Sequence, residues 1–174
     1  MGVDMLGFRV IKGQENYIEP AVFQEIRGWV SGPSVVAELY GIQSDTQLQN
    51  IIENYAPDYL EIHFHDLQYV SANVNLPLIV KVSDVDLTVS FQQIQLIGEK
   101  IHYLLLSDTV DEKLIEQVVP LFPVIISLKN ISNLHKTMNS LLIKGIALNG
   151  STEIRPGQKD YEDLALVLEQ LEVD

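Results

Sequence analysis

One pattern repeats from end to end of this chain: a short apolar run followed by an amphipathic stretch, about once every two dozen residues. The runs occupy residues 3–10, 35–41, 59–64, 76–83, 101–107, 123–128 and 143–149. Each is rich in Val, Ile, Leu, Phe or Tyr and is bounded by Gly, Pro, Asp, Asn or Ser. A strand covered on both faces reads this way, because both sets of alternating side chains must be apolar. Between the runs lie helical patterns. Pro20 suits a first helical turn and precedes Val22, Phe23, Ile26 and Val30; Ser44 is placed to cap a helix carrying Leu48, Ile51, Ile52 and Tyr55. Asp111, Ser132 and Asp160 open three more such stretches, and residues 66–74 and 86–97 are expected to be helical although less regular.

Strict strand–helix alternation dictates right-handed crossovers and a parallel sheet. Two architectures meet that demand, an open doubly wound sheet and a (β/α) barrel. No Gly-x-Gly-x-x-Gly follows the first run, which weakens the dinucleotide-binding form of the open sheet. No Pro/Gly/Ser-rich linker or break in composition divides the 174 residues, so a single domain over 1–174 is expected.

Charge and composition narrow the partners. With 24 acidic against 11 basic residues the net charge is −13, which disfavours nucleic acid and anionic membranes as partners. The sequence contains no cysteine, hence no disulfide, thiolate metal site or cysteine nucleophile. Residues 1–10 lack the pattern of a secretion signal, and the longest apolar stretches fall far short of the ~20 residues of a membrane helix. A cytoplasmic protein is expected.

Two stretches carry a resemblance. Near the C-terminus the sequence reads Gly145-Ile146-Ala147-Leu148-Asn149-Gly150-Ser151-Thr152-Glu153-Ile154-Arg155-Pro156-Gly157-Gln158-Lys159-Asp160. Near the N-terminus it reads Gly2-Val3-Asp4-Met5-Leu6-Gly7-Phe8, then Tyr17-Ile18 and Pro20, and Tyr59-Leu60-Glu61-Ile62-His63 follows later. These resemble phosphoribosylanthranilate isomerase, a single-domain (β/α)8 barrel of tryptophan biosynthesis. Gly145, Ile146, Glu153, Pro156, Gly157, Lys159 and Asp160 fall in step with its closing motif. The early stretch resembles its second strand, and Tyr59 to His63 its fourth. The resemblance implies a parallel TIM-type barrel with about seven visible βα units, the family's first strand and helix having no counterpart here. A barrel of this kind takes ~200 residues or more, which agrees with seven units.

The family reaction is an Amadori isomerisation, which needs an acid to open the ribose ring and a base to take the C2 proton. The resemblance implies that both have gone. The family's base is a cysteine on its first strand. In step with its acid, an aspartate ending the sixth strand, stands Ser107; Asp108 is the substitute candidate if the loop carries it inward, since a one-residue shift turns a strand side chain to the other face. Asn16 replaces a binding arginine, residues 109–112 replace a glycine-rich turn, and Ala147 replaces the aspartate of the eighth strand. The phosphate turns read Leu128-Lys129-Asn130 and Asn149-Gly150-Ser151-Thr152. Backbone N–H groups there, with Lys129, are the candidate anion site, and His63 matches a family histidine.

Other residues have competing readings. His63 and His65 lie two apart and are expected to share a face beside Glu61, but no third ligand completes a metal site, so none is expected, nor any cofactor. Lys81, Glu38 and Glu61 are charged residues in apolar strands; they meet in a barrel mouth as a structural ion pair or as catalytic groups. Trp29 reads as a packing residue and 162–174 as a solvated helix face. The function expected is therefore that of a phosphoribosylanthranilate isomerase-like protein, catalytically impaired, still binding a phosphorylated sugar or phosphate. The alternative is a non-catalytic scaffold. Under either reading the missing unit leaves open strand edges at 3–10 and 143–149, which a homodimer, a swapped element or a partner protein is expected to cover.

Overall fold

The computed structural model describes residues 3–70, 74–129, 134 and 142–150, with the backbone of 153–155 and 158–159. A strand falls on every one of the seven apolar runs, β2 starting one residue early: β1 Met5–Arg9, β2 Ser34–Glu38, β3 Tyr59–His63, β4 Leu78–Lys81, β5 Ile101–Ser107, β6 Val124–Leu128 and β7 Gly145–Leu148. They form one parallel sheet whose spatial order is the chain order, β1 to β7. A doubly wound sheet would reverse its order at a switch point and carry helices on both faces. A sheet that never reverses keeps its right-handed crossovers on one side and curls, as the sheet of a (β/α) barrel does. Here it forms a curled half-barrel. A two-stranded antiparallel ribbon, β8 Glu153–Arg155 with β9 Gln158–Lys159, follows.

Three helices start where the sequence predicts. In α1 Pro20–Trp29, Pro20 occupies the first turn, where its missing N–H costs nothing. In α2 Asp45–Tyr55, the Ser44 side chain accepts from the Gln47 N–H. Asp111 caps the helix Glu112–Val118 through the Lys113 N–H. Two expectations need correction. The described residues of 66–74 hold no α-helix; a 3₁₀ turn, Phe64–Tyr69, begins as soon as β3 ends. The stretch 86–97 is two short helices, α3 Asp84–Val89 and α4 Phe91–Leu96, separated by Ser90, whose φ of −118° and ψ of 15° leave the helical region. Their starting point is set by a capping box, in which Ser83 and Asp86 exchange side-chain and backbone hydrogen bonds. The helices expected from Ser132 and Asp160, and the tail 162–174, lie outside the described residues.

The period-two alternation of the strands separates two clusters. Val35, Ala37, Leu60, Ile62, Val80, Leu104, Leu106, Val124 and Ile126 point outward and meet Phe23, Leu48, Ile51, Ile94, Ile115 and Val118 from the helices. Phe8, Phe23 and Tyr55 add ring contacts at centroid distances of 5.1 Å. Full burial of each such side chain contributes ~1.5–3 kcal/mol, so this layer holds the fold. The inner face is thinner: Val36, Ile79 and Leu105, with Met5, Tyr59, Tyr103, Ile125 and Ala147 around them, and no helix residue. Trp29, read as a packing residue, is instead 91% exposed at the end of α1.

The sheet has two ends. Among the described residues β7 pairs only with β6, and β1 only with β2. The outer edge of β1 is partly covered, since Ile18 N–H donates to the Arg9 carbonyl at 2.9 Å, on the side away from β2.

Candidate functional site at the strand ends

The inner face changes character toward the C-terminal ends of the strands. Below lie Val36, Ile79 and Leu105; above lie Arg9, Glu38, Glu61, His63 and Lys81. Strand register brings these together. Arg9 sits opposite Glu38, Glu38 opposite Glu61, and His63 opposite Lys81. Residues far apart in sequence thus become cross-strand neighbours.

Arg9 Nε lies 3.4 Å from Glu38 Oε2, and Arg9 Nη1 donates to the Glu15 carbonyl at 3.1 Å. Gly7 makes room for this arrangement: a Cβ built there would stand 2.5 Å from Glu38 Oε1. Tyr40, just past β2, donates its hydroxyl proton to Glu61 Oε1, and Lys81 Nζ donates to the Tyr40 oxygen at 3.3 Å. The same ammonium lies 4.8 Å from the centre of the Tyr40 ring, a cation–π contact. Lys81 therefore reaches Tyr40 rather than either glutamate. On the other side the His63 ring stands 4.5 Å from the Tyr40 ring, tilted by 37°. Arg9, Ile11, Gln14, Glu38, Tyr40, His63 and Lys81 line a cavity of about 180 Å³. Gly41, at φ +80°, turns the chain behind Tyr40.

Burial sets the proton chemistry. It pushes the Glu61 carboxyl up to about 7, with the Glu38 charge adding to the rise while the Tyr40 hydrogen bond and Lys81 oppose it. The Tyr40 phenol is driven far above its usual range by burial and then by the Glu61 charge. His63 is lowered, first by burial and then by the Lys81 charge, so its imidazole is neutral at neutral pH.

Of the residues read from sequence, the structure brings His63, Lys81, Glu38 and Glu61 together. It parts His63 from His65: the chain leaves the extended conformation after His63, so the period of two no longer applies. His65 points to solvent, with Nε2 2.8 Å from Oδ1 of the buried Asp86. Ser107 ends β5 on the inner face, as the resemblance implies. Asp108 is turned to the tip of β6, where its Oδ2 accepts the Lys129 N–H at 3.3 Å and its Oδ1 the Ser107 hydroxyl at 3.4 Å. It is not among the residues lining the cavity. Lys129, Asn149 and Gly150 are exposed at the ends of β6 and β7. Asn130, Ser151 and Thr152 lie outside the described residues. Sequence reading missed Arg9, Gln14 and Tyr40. Arg9 carried a signal, a lone cation ending an apolar strand; Tyr40 and Gln14 sit beyond strand ends and carried none.

No protein-family model matches this chain, and no curated protein matches it by sequence. Solved structures do. A phosphoribosyl anthranilate isomerase from Thermotoga maritima superposes with a TM-score of 0.76 at 16% identity, over 99% of this chain and 90% of that one. The Thermus thermophilus protein gives 0.74 at 16% identity, over 99% and 90%. Monomers of the dimeric Thermotoga maritima enzyme give 0.75 at 17%, over 99% and 89%. The resemblance drawn from a few motifs thus extends to the backbone of nearly the whole chain, and this chain shares the TIM-type (β/α) fold of the phosphoribosylanthranilate isomerases.

Proposed function

We propose that this chain is a phosphoribosylanthranilate isomerase-like protein that binds a phosphorylated sugar derivative at the C-terminal mouth of its strands. It does not perform the family's Amadori isomerisation with the family's residues. The observation that carries the reading is the cavity itself: two cations, Arg9 and Lys81, with Gln14, Tyr40 and His63, line it where barrel enzymes bind substrate. His63 serves the sugar. Lys129, Asn130, Asn149, Gly150, Ser151 and Thr152 serve the phosphate through backbone N–H groups and the Lys129 ammonium. Impairment is supported by Ser107 at the place of the acid. Asp108 is a carboxyl beside that place, and it accepts the Lys129 amide N–H.

Melting in the presence of a phosphorylated ketose or inorganic phosphate tests this. A ligand at 100 times its dissociation constant adds ~2.7 kcal/mol of stability and raises the midpoint visibly. No rise at millimolar concentrations of either compound overturns the binding reading. A second reading, a non-catalytic scaffold, is favoured by the singly paired edges of β1 and β7 among the described residues. A homodimer or partner covering those edges would be detected by light scattering on the purified chain; a monomer with both edge strands protected from hydrogen exchange would oppose it.

A further inference from the structure

Lys81 stands at the head of a proton path. Its Nζ donates to the Tyr40 oxygen at 3.3 Å, and the Tyr40 hydroxyl in turn donates to Glu61 Oε1. Ammonium, phenol and carboxylate thus form a directed chain. It leads away from the cavity, since Lys81 and Tyr40 line that space and Glu61 does not. Burial pushes Glu61 up to about 7, so its carboxylate is a ready proton acceptor. Moving one proton along each link leaves a neutral Lys81 amine and a neutral Glu61 carboxyl. Two opposite charges then leave a part-buried site, which offsets the cost of deprotonating the amine. The phenol is held far above its usual range, so the two protons move together and no tyrosinate forms.

We propose that Lys81 is a nucleophilic amine that captures short hydroxy-aldehydes or hydroxy-ketones as a Schiff base, with Tyr40 and Glu61 drawing off its proton. A neutral amine is the form that attacks a carbonyl carbon. The nitrogen–carbon bond forms as the carbonyl π pair moves to oxygen, and loss of that oxygen as water leaves the iminium. The ammonium starts with three protons and the iminium nitrogen keeps one. The other two leave with the oxygen, one of them by way of Glu61 and solvent. The sum is ammonium plus carbonyl giving iminium plus water, with no oxidant or reductant consumed. At about 180 Å³ the cavity is smaller than the ~300–1,000 Å³ of pockets for drug-sized ligands, which selects a compact compound. Gln14 and the neutral His63 offer hydrogen bonds to its hydroxyl groups. Lys81 is the catalytic residue; Tyr40 and Glu61 are positioning residues. The proposal rests on the reading of this cavity as a ligand site, and not on the phosphate residues at β6 and β7.

The charged and titratable groups facing the chain are Arg9 on β1, Glu38 on β2 and His63 on β3. Below pH 7 Glu61 already holds a proton and cannot take another; above it the acceptor is ready in nearly every molecule. Capture by Lys81 therefore levels off above about pH 7.

The test is incubation of the intact chain with glycolaldehyde and sodium cyanoborohydride, followed by peptide mass mapping of the labelled lysines. Lys12, Lys113 and Lys144, all exposed, are references within the same sample. At neutral pH Lys81 is expected to be labelled ~10²-fold faster than they are, the effect of a positioned base. Across higher pH its rate should level off while the references go on rising ~10-fold per pH unit toward ~10.4. Glu61→Gln keeps an acceptor for the Tyr40 hydroxyl and should return Lys81 to the slope of the references; a merely structural role for Glu61 would leave the plateau in place. The wild-type comparison needs no variant to fold. Labelling of Lys81 no faster than the references, or rising with their slope through pH 7, overturns the proposal, as does a plateau that persists in folded Glu61→Gln. Selective labelling without any melting response to phosphorylated ligands retains this proposal and rejects the phosphate reading. A melting response without selective labelling does the reverse.

Discussion

Replacing Glu61 by Gln should change how stability depends on pH more than it changes the fold. The carboxyl ionises near 4.5 in an unfolded chain and at about 7 in the folded one, because folding buries it beside Glu38. A raised value means the folded state favours the protonated form. The stabilisation is therefore complete below pH 4.5 and is lost as pH rises through 7. At ~1.4 kcal/mol per unit, the interval corresponds to about 3 kcal/mol. Glutamine retains an oxygen to accept the Tyr40 proton but cannot ionise, so Glu61→Gln lacks this loss. Urea unfolding of both proteins between pH 4.5 and 8 reads the difference directly, and the other carboxylates cancel in the comparison. With a slope of ~1–3 kcal/mol per molar urea, the midpoints should diverge by roughly 1–2 M toward high pH, the variant becoming relatively more stable. Parallel midpoints across that range would refute the burial argument for Glu61.

Other substitutions probe the frame. Leu104→Ala empties a fully buried site between sheet and helices and should cost ~2–5 kcal/mol by chemical denaturation, without moving the inner face. Ala56 ends α2 at φ 42°, a left-handed conformation that favours glycine; Ala56→Gly should raise stability by up to ~1 kcal/mol in the same assay. Asp86→Ala removes the carboxylate that accepts from Ser83 at the start of α3, and the lost capping box should cost ~1–2 kcal/mol.

Much of the frame was legible because a strand apolar on both faces has a signature that survives without context. Runs such as 101–107 and 123–128 became β5 and β6 almost residue for residue. The choice between open sheet and barrel was not legible in periodicity, since both alternate strand and helix; only the strand order separates them. Site residues showed where they broke an apolar run, as Glu61 and Lys81 do. Tyr40 broke nothing, and its role emerges only once register places Lys81 and Glu61 on either side of its hydroxyl. Trp29 misled because it falls three residues after Ile26, in phase with the buried stripe. The helix ends at Trp29 itself, and its side chain stays exposed. His65 misled for the converse reason: strand periodicity was extended past the residue where the strand stops.

The C-terminal mouth of β1–β4 is proposed above as a ligand site. Amide NMR shifts during titration with a phosphorylated ketose test it most directly. Shifts are expected at Arg9, Glu38, Tyr40, Glu61, His63 and Lys81. Shifts confined to the opposite end of the sheet, around Leu76, Pro77, Lys100 and His102, or no shifts at millimolar ligand, would contradict it.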